Sequence, residues 1–297
     1  MIKSKLNKYT FGDYIFDGFN AVFLIALMFV TLYPMYYVIV ASFTDNLTLL
    51  ASTGFLWYPQ GFNVNAYRLA FTHPLLLSGY KNILIIMVGG LFFNLSLTLF
   101  TGYFLASKDV YFKKPILFMI LFTMFFSGGM IPAFLNIQRL GLFNTLWALI
   151  LPGAVSVFNA IICRTAIMAL PDSLSESARI DGANDFTILF KIVTPLIKPT
   201  MVVLILFYGI GHWNSWFPAS IYIRDVTRLP IQNILRSILI ANSDILNAAV
   251  TERDRIDQFS ETIKYAAIVI TTVPVLLIYP FLQRYFVKGV MIGSVKG

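Results

Sequence analysis

Residues 171–200 read Pro-Asp-Ser-Leu-Ser-Glu-Ser-Ala-Arg-Ile-Asp-Gly-Ala-Asn-Asp-Phe-Thr-Ile-Leu-Phe-Lys-Ile-Val-Thr-Pro-Leu-Ile-Lys-Pro-Thr. Ser173-x-x-Glu176 has the spacing of a capping box, in which each side chain satisfies an orphan backbone N–H at a helix start. Gly182 falls where that helix would close in a left-handed cap, and Asn184 or Asp185 can start a second helix. Phe186, Leu189, Phe190 and Val193 then form an apolar stripe. Pro195 is expected to end it, and Pro199 to begin the next helix. The stretch predicts a short, stiff helix–turn–helix.

Its surroundings differ in character. Of 297 residues, 58% are hydrophobic, 16% aromatic and only 12% charged, against roughly 25% charged in soluble chains. That excludes a disordered, nucleic-acid-binding or disulfide-framework protein. Crossing a roughly 30 Å hydrocarbon core takes about 20 apolar residues, and a charge at its centre costs at least ~2.5 kcal/mol. Runs free of Asp, Glu, Lys and Arg cover 18–44, 82–107, 115–138, 140–163, 199–223 and 265–283. They predict an all-α integral membrane protein with six transmembrane helices in one domain, 1–297. A seventh run, 46–67, holds Ser52, Thr53, Gly54, Pro59, Gln60, Gly61, Asn63 and Asn65. Lipid could not satisfy these polar groups, so the run reads as part of an outer loop, 44–81.

Lys3, Lys5 and Lys8 precede an apolar segment too long for a signal peptide and without a small-residue cleavage site, so it reads as the first span. With both termini inside, 13 of the 22 Lys and Arg face the cytoplasm and 9 face outward, which favours the N-in/C-in orientation. The helix–turn–helix then lies in a cytoplasmic loop, 169–198, and a second long outer loop covers 224–264. Anionic lipid headgroups account for a net charge of +8 without any nucleic-acid partner. A single cysteine, Cys163, excludes an internal disulfide and a thiolate metal cluster.

Catalytic chemistry is not written into the spans. There is no Gly-x-Ser-x-Gly, no His-Glu-x-x-His and no Gly-x-x-x-x-Gly-Lys-Ser/Thr phosphate loop, and the two histidines, His73 and His212, stand 139 positions apart. No catalytic residue, metal site or cofactor is assigned. All fourteen Asp and Glu fall in tails or loops, whereas ion-coupled carriers usually show such groups near the midplane. A secondary carrier is therefore the weaker alternative, and transport must be powered from elsewhere.

Three further segments stand out. Ser127-Gly128-Gly129 and Pro132 loosen the third span near its outer end, as a kink shaping the bundle or as a pathway wall. Residues 229–240 place Ile231, Ile234, Leu235, Ile238 and Leu239 at helical spacing opposite Gln232, Asn233 and Arg236, an amphipathic helix at the outer surface. After it, Glu252-Arg253-Asp254-Arg255 to Glu261 is a solvated loop or a docking surface. In the fifth span Trp213, Asn214 and Trp216 concentrate aromatic and polar groups. They serve either as interface anchors and interhelical glue or as a substrate path, with Asn94 and Asn159 as companions.

The 171–200 stretch resembles the cytoplasmic EAA loop of ATP-binding-cassette (ABC) importer permeases, whose pattern is Glu-Ala-Ala, three residues, Gly, nine residues, Ile-x-Leu-Pro. Glu176, Ala178, Gly182, Ile192 and Pro195 match at that spacing, while Ser177 and Thr194 replace the middle Ala and the Leu. Tyr33-Pro34, Phe126 to Pro132, Ala178 to Asn184 and Trp213-Asn214 are similar to the carbohydrate-importer branch that handles oligosaccharides. A non-sugar solute is the alternative within the family.

The resemblance implies a type I ABC importer permease fold in the bacterial plasma (inner) membrane, multi-pass. It also implies a second homologous permease, two ATPase subunits (identical or different) that carry the ATP and Mg, and an extracellular or periplasmic solute-binding protein. Glu176, Ala178, Asp181, Gly182, Ile192 and Pro195 would then couple the ATPases to the spans, with Glu176 and Asp181 serving as helix cap and solvated residue or as contacts to the ATPase.

Overall fold

Residues Phe11 to Ser42 form one helix, α1, which runs through Pro34 and buries only Val40, Ala41 and Ser42. The computed structural model describes residues 11–52, 54–72, 75–108, 110–244, 262–277 and 280, and every regular element among them is helical. They fall into two compact units, one reaching Ala70 and including Ala241–Ile270, the other comprising Phe71–Ile240 and the residues from Thr271 on. The lysines at 3, 5 and 8, the 252–261 run and the end of the 265–283 run lie outside the described residues.

In the first unit, Val40 and Ala41 pack with Leu49, Leu56 and the rings of Tyr37 and Tyr265. Asp45 caps α2 (Asn46–Ala51) by accepting from the Leu47 N–H at 3.2 Å, a standard use of a short acidic side chain at a helix start. Asn63 N–H returns to Phe43 O at 2.9 Å, and the Phe43 ring stacks on Phe62 and Tyr67. The uncharged 46–67 run thus holds a short helix and turns, with Asn63 tied back to Phe43 and Asp45. The helix α3 (Asn65–Thr72) follows.

The second unit is built on α4 (Leu76–Ala106), whose buried positions include Gly79, Asn82, Ile86, Gly90, Asn94, Thr98 and Gly102. Spacings of three and four put these on one face. Small residues there let other backbones come close. A Cβ at Gly90 would lie 2.3 Å from His212 Nε2, and one at Gly102 would lie 2.7 Å from Cys163 Sγ. Against this face pack α8 (Val157–Met168) and the helix Lys198–Trp213.

Breaks interrupt the other apolar runs. The third run is two helices, α5 (Lys113–Phe125) and α6 (Met130–Arg139), with axes 112° apart, and not the single kinked helix the sequence suggests. Gly129 has φ +88°, a conformation closed to ordinary side chains, and Pro132 sits in the first turn of α6, where its missing N–H is harmless. In the fourth run a short α7 (Trp147–Ile150) and a non-helical stretch precede α8, which continues past Arg164 to Met168. Among the described residues, α1 and α4 can each cross a membrane by length and apolarity, and up to five crossings result if each sharply bent pair counts once.

Candidate functional site

The 171–200 stretch folds into a helix, a tight turn and a second helix. Its first helix, α9 (Asp172–Ile180), starts from Pro171, and no side chain caps it. The capping box expected from Ser173 and Glu176 is therefore not formed: the helix begins two residues before a Ser173 cap would start it, so Ser173 lies inside the first turn. Asp172 in the first turn complements the helix dipole instead, and its carboxylate pairs with Lys108 Nζ at 2.5 Å.

The C-terminal end is as the glycine suggests. Gly182 has φ +80°, its N–H donates to Arg179 O at 3.0 Å, and Ala183 N–H donates to Ala178 O at 2.9 Å. Those two bonds are the Schellman motif, which satisfies the last carbonyls of a helix. Nothing lies within 4 Å of a Cβ built on Gly182, so the glycine is needed for its backbone angle and not for space. Asn184 then caps the next helix, accepting from Thr187 N–H at 2.8 Å.

That second helix, Asp185–Leu196, ends one residue after Pro195. Residues Ile188–Val193 are wound as a π-helix, and the hydroxyl of Thr194 donates to Leu189 O at 2.7 Å. The wider turn shifts the bonding register so that the chain carries through the proline, and an 84° bend follows before Lys198–Trp213. Pro199 lies in the first turn of that helix, where proline is tolerated.

Ala178 is buried in a cluster with Ile188, Leu189, Val193, Ile197, Leu204 and Tyr208, and Ile192 packs against it. Glu176, Asp181, Gly182 and Pro195 are exposed. The stripe read from the sequence is shared differently: Leu189 and Val193 are buried, whereas Phe186 and Phe190 face outward at 65% and 50% exposure. Across the turn Arg179 pairs with Asp185 at 3.3 Å, and Tyr103 at the end of α4 donates to the same carboxylate at 3.1 Å. The hydrogen bond to Asp185 raises the Arg179 guanidinium above its ordinary value.

Further along Lys198–Trp213 lies a cavity of about 350 Å³. Its wall includes Met87, Ile210, Trp213, Asn214, Gln232 and Thr271. Of the five residues read from the sequence as a path, Trp213 and Asn214 are in this wall. Trp213 is only 9% exposed and packs with Leu76, Ile83 and Ile231, while Asn214 is exposed at the C-terminal end of the helix.

The other three lie elsewhere. Trp216 starts the helix Trp216–Tyr222. Asn94 is fully buried, with its amide nitrogen 2.8 Å from Gly153 O and 3.1 Å from Ala154 O. Asn159 is buried in α8. Gln232 lines the cavity, whereas Asn233, which the sequence sets on the polar side, is buried and donates to Trp216 O and Ser220 Oγ at 2.9 Å each. The helix that carries them runs Ile231–Asp244.

Comparison with known proteins decides the family. Residues 99–292 match the family described as the binding-protein-dependent transport system inner membrane component. The chain belongs to that family. This permease is 40% identical over 286 residues to the polygalacturonan/rhamnogalacturonan transport system permease protein YtcP of Bacillus subtilis (strain 168), covering 95% of this chain and 99% of the relative. It is 39% identical to Protein LplC of the same organism over 289 residues, 95% of each chain.

Among solved structures, the permease resembles a chain of a bacterial ABC transporter involved in the import of the acidic polysaccharide alginate. The TM-score is 0.86 at 31% identity, covering 94% of this chain and 99% of that one. The fold is that of an ABC importer permease. The chain is a multi-pass membrane transport subunit and not an enzyme.

Proposed function

We propose that the chain is one of two membrane-spanning subunits of an ATP-driven importer of saccharides, oligosaccharides above all. The relatives named for polygalacturonan, rhamnogalacturonan and alginate transport support the substrate class. The whole chain acts as one permease domain with six spans, both termini in the cytoplasm, and the 172–196 segment on the cytoplasmic side. A second permease completes the path, two ATPase subunits hold the ATP and Mg, and a binding protein delivers the saccharide from outside.

The observation that carries this reading is the Schellman-capped α9, which ends in an exposed Ile180, with an exposed Phe186 past the turn, while Ala178 is buried in the bundle core. Glu176 and Asp181 add charge on that exposed side. Apolar groups standing in water at the end of a stiff element mark a docking site, and the core beneath it can pass a push onward. Leu204 and Tyr208 belong to the same cluster as Ala178, and the cavity begins on their helix at Ile205. Closure of an ATPase dimer against α9 would thus move the helix that forms the cavity wall. Affinity purification of the tagged chain from its native membrane tests this. An ATPase with nucleotide-dependent activity co-purifies if the reading holds, and its consistent absence defeats the reading.

A further inference from the structure

Arg236 lies one helical turn beyond Gln232 and directly after Leu235, both in the cavity wall, and its guanidinium carbon sits 4.3 Å over the ring of Trp216. Trp216 in turn lies two residues beyond Asn214, also in the wall. The other arginines of this region have jobs: Arg228 pairs with Asp225 at 3.3 Å and donates to Asn144 O, and Arg224 lies over Phe143. No carboxylate pairs with Arg236 among the described residues. Stacking on an indole holds the guanidinium plane while its in-plane N–H donors stay free, and that fork matches a carboxylate. A cation held in this way one turn from the cavity wall, with no carboxylate paired to it among the described residues, is placed to receive an anion.

We propose that Arg236, held by Trp216, is a carboxylate-recognition site at the rim of the cavity, and that the saccharide it receives is acidic, carrying uronate groups. This rests on the saccharide reading above. Asn214 and Gln232 supply hydrogen bonds to hydroxyls. The uronate carboxylate takes the bidentate bond to Arg236, which a neutral sugar cannot make.

The test uses the complex purified through a tag on this chain, in lipid nanodiscs without the binding protein, and measures binding of trigalacturonic acid and of its fully methyl-esterified form. A hydrogen bond to a charged group is worth ~1.5–3 kcal/mol, so the acid should bind about tenfold or more tightly than the ester. Arg236→Gln should abolish that preference and leave ester binding unchanged, while Arg236→Lys should keep part of it. Equal binding of acid and ester to the unaltered complex overturns the proposal, as does a preference that survives Arg236→Gln or an Arg236→Gln complex that loses both ligands equally. Binding of neither form overturns the saccharide reading itself, and this inference with it.

Discussion

His212 Nε2 lies 2.7 Å from Asn94 Oδ1, joining two helices across 118 positions of sequence. The Asn94 amide nitrogen is already committed to the carbonyls of Gly153 and Ala154, so its oxygen faces the ring and Nε2 carries the hydrogen. One turn further along α4, the Thr98 and Tyr208 hydroxyls are 2.6 Å apart, and Tyr208 accepts from Ser156 N–H at 2.9 Å. These two bridges tie the non-helical stretch between α7 and α8 to α4 and to the helix Lys198–Trp213.

Asn94→Leu should therefore destabilise the protein, because it leaves the buried imidazole N–H without its acceptor at a cost of ~1–3 kcal/mol and unties the two carbonyls from α4. Gly90→Ala should act in the same direction by forcing a methyl against the His212 ring. Thermal unfolding of the purified chain in detergent measures both. A midpoint unchanged in either variant would show that the bridge does not hold these helices.

Trp213 and Asn214 are adjacent in sequence and should separate in experiment. Trp213 is packed into the core, so Trp213→Ala should cost ~3–5 kcal/mol and reduce the yield of folded protein. Asn214→Ala removes an exposed wall group, and saccharide uptake should fall while complex assembly stays at the unaltered level. Normal uptake by the Asn214 variant would remove it from the path.

Orientation can be read with single cysteines at Lys108 and Asp244 on a Cys163→Ala background. Alanine is the better replacement because Cys163 is buried among apolar groups, where a serine hydroxyl would go unpaired. On intact cells a membrane-impermeant maleimide should label position 244 and not 108. The reverse pattern would invert the topology.

Much of the 171–200 stretch was legible because its bonds are local: Gly182 and Asn184 each satisfy groups within five residues. One local expectation failed for a reason just as local: α9 starts at Asp172, two residues before a Ser173 cap would start it, so Ser173 and Glu176 cannot form the box. The break at Phe126–Gly129 was visible as weakness but not as a 112° turn, since composition does not say how far a loosened helix bends. Asn94, His212 and Asn233 were hidden for a different reason. A polar residue in an apolar run must find a partner, but the partner is chosen by packing between distant segments and leaves no spacing to read.

The most direct test of coupling through α9 is ATP-driven saccharide uptake by vesicles carrying the assembled transporter with Gly182→Val. A β-branched residue cannot take the φ of +80° found there, so the Schellman cap and the aim of α9 are lost while the spans and the cavity are untouched. The expected result is loss of uptake by a chain that inserts at the unaltered level and still binds saccharide. Uptake at the rate of the unaltered transporter would contradict coupling through this helix.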